Sequence, residues 1–293
     1  MSLLALALVL VAACTHASWN LLSKRVSHVG GVGWVWLVAA SGGVIFLPVA
    51  AVTAIVTHQR FTWPVVGFMA GTAALHSAYA VLLQRGYRVG DLSLVYPLAR
   101  GTGPLVSSLV AIWLFAERPG PYGVAAILLV AVGVFILGMP PRGAAGAGKP
   151  SGSRRAAVGY GLATGLTIAA YTLWDKHAVA GLAINPLLYD WSSNFGRALI
   201  LTPAAVRHRA EVALLWRRYR PYVIGTSVLM TLAYVLVLFA LTFSPVSSIA
   251  PARESSVLIG VLLGGRLLSE GNMRSRLIGA AAIAVGVATI ALT

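Results

Sequence analysis

The sequence predicts an all-α membrane protein with ten transmembrane helices arranged as two inverted five-helix repeats. Three observations lead there. The chain is 58% hydrophobic and 10% charged, with mean hydropathy +0.85, where soluble domains carry roughly 25% charged residues. Apolar runs long enough to cross a bilayer recur along its whole length. The landmarks of the first half return in the second.

A hydrocarbon core of about 30 Å takes roughly 20 helical residues at 1.5 Å rise each. In order, the runs of that length are 3–22, 31–56, 64–84, 92–115 and 120–139, then 157–175, 186–206, 221–243, 246–267 and 275–292. Most connections are short. Two are longer, 140–156 (PPRGAAGAGKPSGSRRA) and 207–220 (RHRAEVALLWRRYR). The first is rich in Gly, Pro and Ser, the composition of a flexible linker. It divides the chain into a first repeat, 1–139, a linker, 140–156, and a second repeat, 157–293.

The repeat is read from positions. Trp19, Pro48 and Tyr79 recur as Trp174, Pro203 and Tyr234, each 155 residues on. Arg100, Glu117 and Gly133 recur as Arg253, Glu270 and Gly286, each 153 residues on. Five spans per half is an odd number, so the second half must enter the membrane reversed. Inverted repeats of this kind typify secondary transporters, with a substrate site near the midplane.

Loops after odd-numbered spans carry 16 Lys and Arg (24, 25, 85, 88, 142, 149, 154, 155, 207, 209, 217, 218, 220, 266, 274 and 276). Loops after even-numbered spans carry 3, Arg60, Arg118 and Lys176. The positive-inside rule then puts both termini outside the plasma membrane, the inner membrane of a bacterium. This distribution also explains the net charge of +15 without nucleic acid, which would need the basic residues gathered on a soluble face.

Other functions are disfavoured. One cysteine, Cys14, excludes an internal disulfide and a multi-cysteine zinc site. GAAGAGK at 143–149 has phosphate-loop spacing, but Pro150 stands where Ser or Thr should ligate magnesium. LVAAC at 10–14 resembles a lipoprotein cleavage site but lacks a basic region before it. With no HExxH, no acidic pair and no Ser/His/Asp grouping, the chain is not expected to be an enzyme, and no cofactor or metal is expected.

The candidate site lies in the polar residues at membrane depth, which are costly there unless they face a cavity or a partner. Arg100 lies about eight residues, or ~12 Å, into its helix, with Tyr96 one turn before it. Arg253 enters from the opposite side. His16, Trp19 and Asn20 share one face of the first helix; Tyr171, Trp174 and Asp175 share that of its counterpart. His76 and Tyr79, Tyr234, and the stripe Asp190, Asn194, Arg197 complete the set. For His16 or His76 alone, a helix–helix hydrogen bond is an equal expectation.

Glu254 is expected to neutralise Arg100 or Arg197, leaving an arginine for an anionic or zwitterionic substrate. The alternative has all three arginines in structural ion pairs. Pro97, Gly101, Gly103 and Pro104 around Arg100, and Pro251 near Arg253, imply kinked or unwound helix along a cavity wall. Glu254, Asp175 or His16 could carry a coupling proton; passive exchange is the other option.

Several strings carry a family resemblance: HASWNLLSKR (16–25), GDLSLVYPLARGTGPL (90–105), AER (116–118), IAAYTLWDKHAV (168–179), SPVSSIAPARESSVLIG (244–260) and LSE (268–270). Over essentially the full chain they resemble EamA-type members of the drug/metabolite transporter superfamily. The resemblance implies ten helices, a central cavity, alternating access and export of small metabolites such as amino acids or organic acids. It also implies cytoplasmic termini in many members, from which the charge count here departs. The first-helix glutamate of the small four-helix multidrug relatives has no counterpart here, which argues against their drug–proton exchange. The expected partners are a small-molecule substrate and the lipid bilayer, for a monomer or weak homodimer. The competing readings are a scaffold or accessory subunit and a broad-specificity drug exporter.

Overall fold

The computed structural model of the chain describes residues 1–26, 31–90, 92–137, 151–265 and 273–292. Among them every regular element is helical: α1 (Leu3–Arg25), α2 (Val32–Ile45), α3 (Leu47–Val56), α4 (Trp63–Val89), α5 (Leu92–Leu114), α6 (Gly120–Leu137), α7 (Ser151–Lys176), α8 (Pro186–Arg207), α9 (Arg209–Phe243), α10 (Val246–Ala252), α11 (Ser255–Gly265) and α12 (Met273–Leu292). A π turn, His177–Gly181, extends α7. Residues 138–139 of the expected first repeat, 140–150 of the expected linker, and the loop holding Arg266 and Glu270 lie outside the described residues.

Among the described residues, five helices are long and apolar enough to cross a membrane: α1, α4, α6, α7 with its π turn, and α9. The pair α2–α3, bent by 46°, would make a sixth. The bend lies at Phe46, just ahead of Pro48. Proline lacks the N–H that would continue the helix, and its ring crowds the preceding turn. Large apolar side chains such as Val52, Ile55, Trp63 and Trp113 stand exposed on the outer surface, an arrangement compatible with a multi-pass membrane protein.

Two features differ from the sequence expectation. The loop expected at 207–220 is helix, because α9 starts at Arg209 and runs 35 residues. Val212 and Leu215 are buried, with Val212 facing the notch at Gly33 of α2, while Arg209, Arg217, Arg218 and Arg220 stay exposed. That amphipathic spacing makes helix and not loop. The helix expected to break around Arg100 stays continuous through Pro97 and Pro104. Its glycines serve packing: a Cβ on Gly103 would lie 2.6 Å from Ile168 Cγ2 of α7. The break expected beside Pro251 is present, at Arg253–Glu254 between α10 and α11.

Close approaches fix the helix directions. At the α6–α12 crossing, a Cβ on Gly279 would meet the Gly133 carbonyl at 2.8 Å, and one on Gly286 the Ala126 carbonyl at 3.0 Å. One number rises as the other falls, so the helices are antiparallel. Trp36 Nε1 donates to Thr202 Oγ1 at 3.1 Å and Trp191 Nε1 to the Gly43 carbonyl at 2.8 Å, which makes α2 and α8 antiparallel as well. Phe68 stacks on Trp174, and Gly86 faces Tyr160, so α4 and α7 are antiparallel. Gly161 packs on Leu98 and Gly103 on Ile168, so α5 and α7 are parallel.

The α9–α10 junction is held by two side chains from other elements. Glu117 accepts from the backbone N–H groups of Val246 and Ser247 at 2.7 and 2.8 Å, capping the first turn of α10. Lys176 Nζ donates to the carbonyls of Leu241 and Ser244 at 2.8 and 3.0 Å, at the end of α9. Each charge matches the dipole of the terminus it touches.

Candidate functional site

A polar cavity of about 100 Å³ lies between the helices. Every helix region around it contributes wall: His16 and Trp19 from α1, His76 and Tyr79 from α4, Arg100 from α5 and Tyr171 from α7. From α8 come Asp190, Asn194 and Arg197, from α9 Met230 and Tyr234, from the α10–α11 break Arg253, and from α11 Ser256. Helical spacing explains the grouping, since residues three, four or seven apart share a face.

The three arginines meet different partners. Arg100 is buried and bonded side-on to Glu254: Nε to Oε2 and Nη2 to Oε1, both at 3.1 Å. Its Nη2 also donates to Ser256 Oγ at 3.0 Å. This bidentate fork is the strongest geometry a guanidinium offers a carboxylate. Arg197 Nη2 lies 3.3 Å from His76 Nδ1, and its Nε, though buried, has no hydrogen-bond partner. Arg253 sits over the Tyr234 ring, 5.4 Å from its centroid. Among the described residues neither Arg197 nor Arg253 forms an ion pair.

Behind the wall, Asp175 is fully buried. It accepts from Tyr189 OH at 2.8 Å and from Tyr234 OH, and its Oδ2 lies 3.4 Å from His76 Nε2. Asp175 therefore anchors Tyr234, whose ring lies under Arg253, and faces His76, whose Nε2 has no hydrogen-bond partner among the described residues. His76 is sandwiched by rings, 4.2 Å from Tyr171 and 5.1 Å from Tyr234. Asp190 is steadied by Asn194 Nδ2 at 2.9 Å, which also reaches Thr231 Oγ1 at 3.3 Å. His16 and Trp19 meet edge to face at 4.8 Å.

The sequence-selected residues fall into three groups. His16, Trp19, His76, Tyr79, Arg100, Tyr171, Asp190, Asn194, Arg197, Tyr234 and Arg253 line the cavity. Asp175 and Glu254 stand behind it, bonded to lining residues. Trp174, Asn20 and Tyr96 lie outside the wall. Trp174 fills the notch at Gly71 and donates to the Phe68 carbonyl at 3.0 Å, so it packs α7 on α4. Asn20 turns back to the His16 carbonyl of its own helix at 3.0 Å. A shared helical face spans roughly 100°, wide enough to hold both a cavity residue and a packing residue.

Ser256 and Met230 were not singled out from the sequence. Ser256 follows Arg253 by three positions, and that spacing was the available signal. Met230 carries no polar signal. Among the described residues no group of three His, Cys, Asp or Glu side chains could hold a metal.

No family model matches the sequence, and no curated protein does. Among solved structures 29 chains match. One, described only as the crystal structure of a protein, superposes with TM-score 0.78 at 14% identity, covering 98% of this chain and 96% of its own. At that identity the match establishes a shared fold along nearly the entire chain and carries no function.

Proposed function

We propose that the protein is a secondary transporter of the plasma membrane, an EamA-type member of the drug/metabolite transporter superfamily. It exports a small polar or anionic metabolite, of amino-acid or organic-acid class, by alternating access of two inverted five-helix halves. The observation that carries this reading is the pair Arg197 and Arg253, facing a central cavity with no carboxylate among the described residues bonded to either. Unpaired guanidiniums at such depth are costly, and their forks fit a carboxylate. The aromatic rings and hydroxyls around them provide the mixed apolar and polar wall of a small-molecule site.

The helix directions support ten alternating passes. The second and seventh expected spans, the third and sixth, and the fifth and tenth pack antiparallel, while the fourth and sixth pack parallel. Alternating passes require each of these relations, and a repeat in the same orientation would make the second and seventh, and the fifth and tenth, parallel. The cavity's volume, about 100 Å³, suits a small metabolite better than the bulky compounds of a broad drug exporter.

Uptake of radiolabelled amino acids and organic acids into proteoliposomes, with and without a pH gradient, tests the proposal. Arg253→Ala should cut transport of the accepted compound by at least ~10-fold, the worth of a charge-assisted hydrogen bond of about 1.5–3 kcal/mol. If folded wild-type protein moves no compound of either class, the transporter reading falls and a scaffold role gains.

A further inference from the structure

Arg197 and His76 impose a proton assignment on each other. A guanidinium only donates, so the 3.3 Å contact from Arg197 Nη2 to His76 Nδ1 needs Nδ1 unprotonated. The single proton of neutral His76 then sits on Nε2, which faces Asp175 Oδ2 at 3.4 Å. A second proton, added to the Nδ1 lone pair, would set an N–H against an N–H and a cation against a cation. The imidazolium keeps Asp175 as its partner, and Arg197 loses its acceptor.

The surrounding charges match that event to a ligand. Three guanidiniums, Arg100, Arg197 and Arg253, stand with three carboxylates, Asp175, Asp190 and Glu254. With all three carboxyls ionised, the site, among the described residues, is formally balanced while His76 is neutral and carries one excess positive charge once it is protonated. Facing His76 are Asp175 and Tyr171 from α7, Arg197 from α8 with Asp190 two turns before it, and Tyr234 from α9. Arg253, at the α10–α11 break, lies over the Tyr234 ring that abuts His76. Tyr79 on its own helix, His16 on α1 and Arg100 on α5 share the cavity. His76 lines the cavity, so a proton and a solute reach it by the same route.

Resting on the cavity being the substrate site, we propose that His76 and Arg197 form a proton-operated anion switch: one proton at His76 Nδ1 frees Arg197 to bind one small carboxylate monoanion. Proton and anion therefore bind together, each raising the affinity for the other by the same factor, and the loaded site is electroneutral. Transport coupled this way carries both species in the same direction.

The test uses full-length protein, labelled with 15N-histidine, in lipid nanodiscs. The His76 signal is identified by its loss in His76→Asn. Above neutral pH wild-type His76 should be the Nε2–H tautomer; an Nδ1–H tautomer overturns the proposal without recourse to any variant. Adding acetate, lactate and glutamate in weak buffer should draw about one proton per protein from solution. Arg197→Gln should abolish that uptake, and Arg197→Lys, which keeps the charge, should retain part of it. No uptake by wild type, or full uptake by Arg197→Gln, overturns the switch. Proton-linked binding without flux in proteoliposomes would leave the switch standing and overturn the transport reading instead.

Discussion

Arg100 and Arg253 stand 153 residues apart, at matching positions of the repeat expected from the sequence, but their surroundings are not equivalent. Glu254, which grips Arg100, corresponds at the 153-residue offset to Gly101. Arg253 therefore has no matching carboxylate and rests on the Tyr234 ring. One arginine is tied down and the other is presented to the cavity. Breaking a buried pair strands a charge, at a cost of about 3–5 kcal/mol, whereas replacing both partners by apolar groups is often neutral. Arg100→Ala and Glu254→Ala should each lower the thermal midpoint in detergent by several degrees, and the double variant Arg100→Met with Glu254→Leu should recover most of that loss. Independent, additive losses would mean the pair is not coupled. The sequence pointed to these arginines through their depth. It left open whether Glu254 neutralises Arg100 or Arg197, because that depends on how α5, α8 and the α10–α11 break are rotated toward each other.

At the scale of elements, the junctions are held by contacts distant in sequence. Glu117 caps α10 across 129 and 130 positions. Glu117→Ala should destabilise the protein by about 1–3 kcal/mol, the range for lost caps and charged hydrogen bonds; Glu117→Gln, which keeps one acceptor oxygen, should cost less. Equal losses in the two variants would argue against the cap. The glycine crossing offers a sharper contrast. Gly279→Ala would push a Cβ to 2.8 Å from the Gly133 carbonyl, while Gly67 has nothing within 4 Å. Thermal unfolding should show Gly279→Ala clearly destabilised and Gly67→Ala unchanged or slightly more stable, as expected for an unhindered helical alanine. The helices themselves were legible from apolar run length. The helical start of α9 was not, because its basic residues read as a loop until Val212 and Leu215 are placed against α2.

For the whole molecule, charge distribution bears on orientation. With 16 basic residues on one set of loops and 3 on the other, both termini are expected outside. A C-terminal alkaline phosphatase fusion should be active and a C-terminal green fluorescent protein fusion dark. The reverse pattern would reject the orientation and leave the fold untouched.

The sequence by itself determined that the chain is helical and apolar, where most of its helices lie, and which ionisable residues sit deep within them. Run length and helical spacing carry that information locally. Only the tertiary structure decided which of those residues share a wall and which charges pair. Arg100 with Glu254, Arg197 with His76 and Tyr234 with Asp175 join positions 154, 121 and 59 residues apart. Such contacts are set by helix crossing and rotation. Even the roughly 60° between residues three apart moves a side chain from the cavity to a packed interface, as Tyr171 and Trp174 on the same helix illustrate.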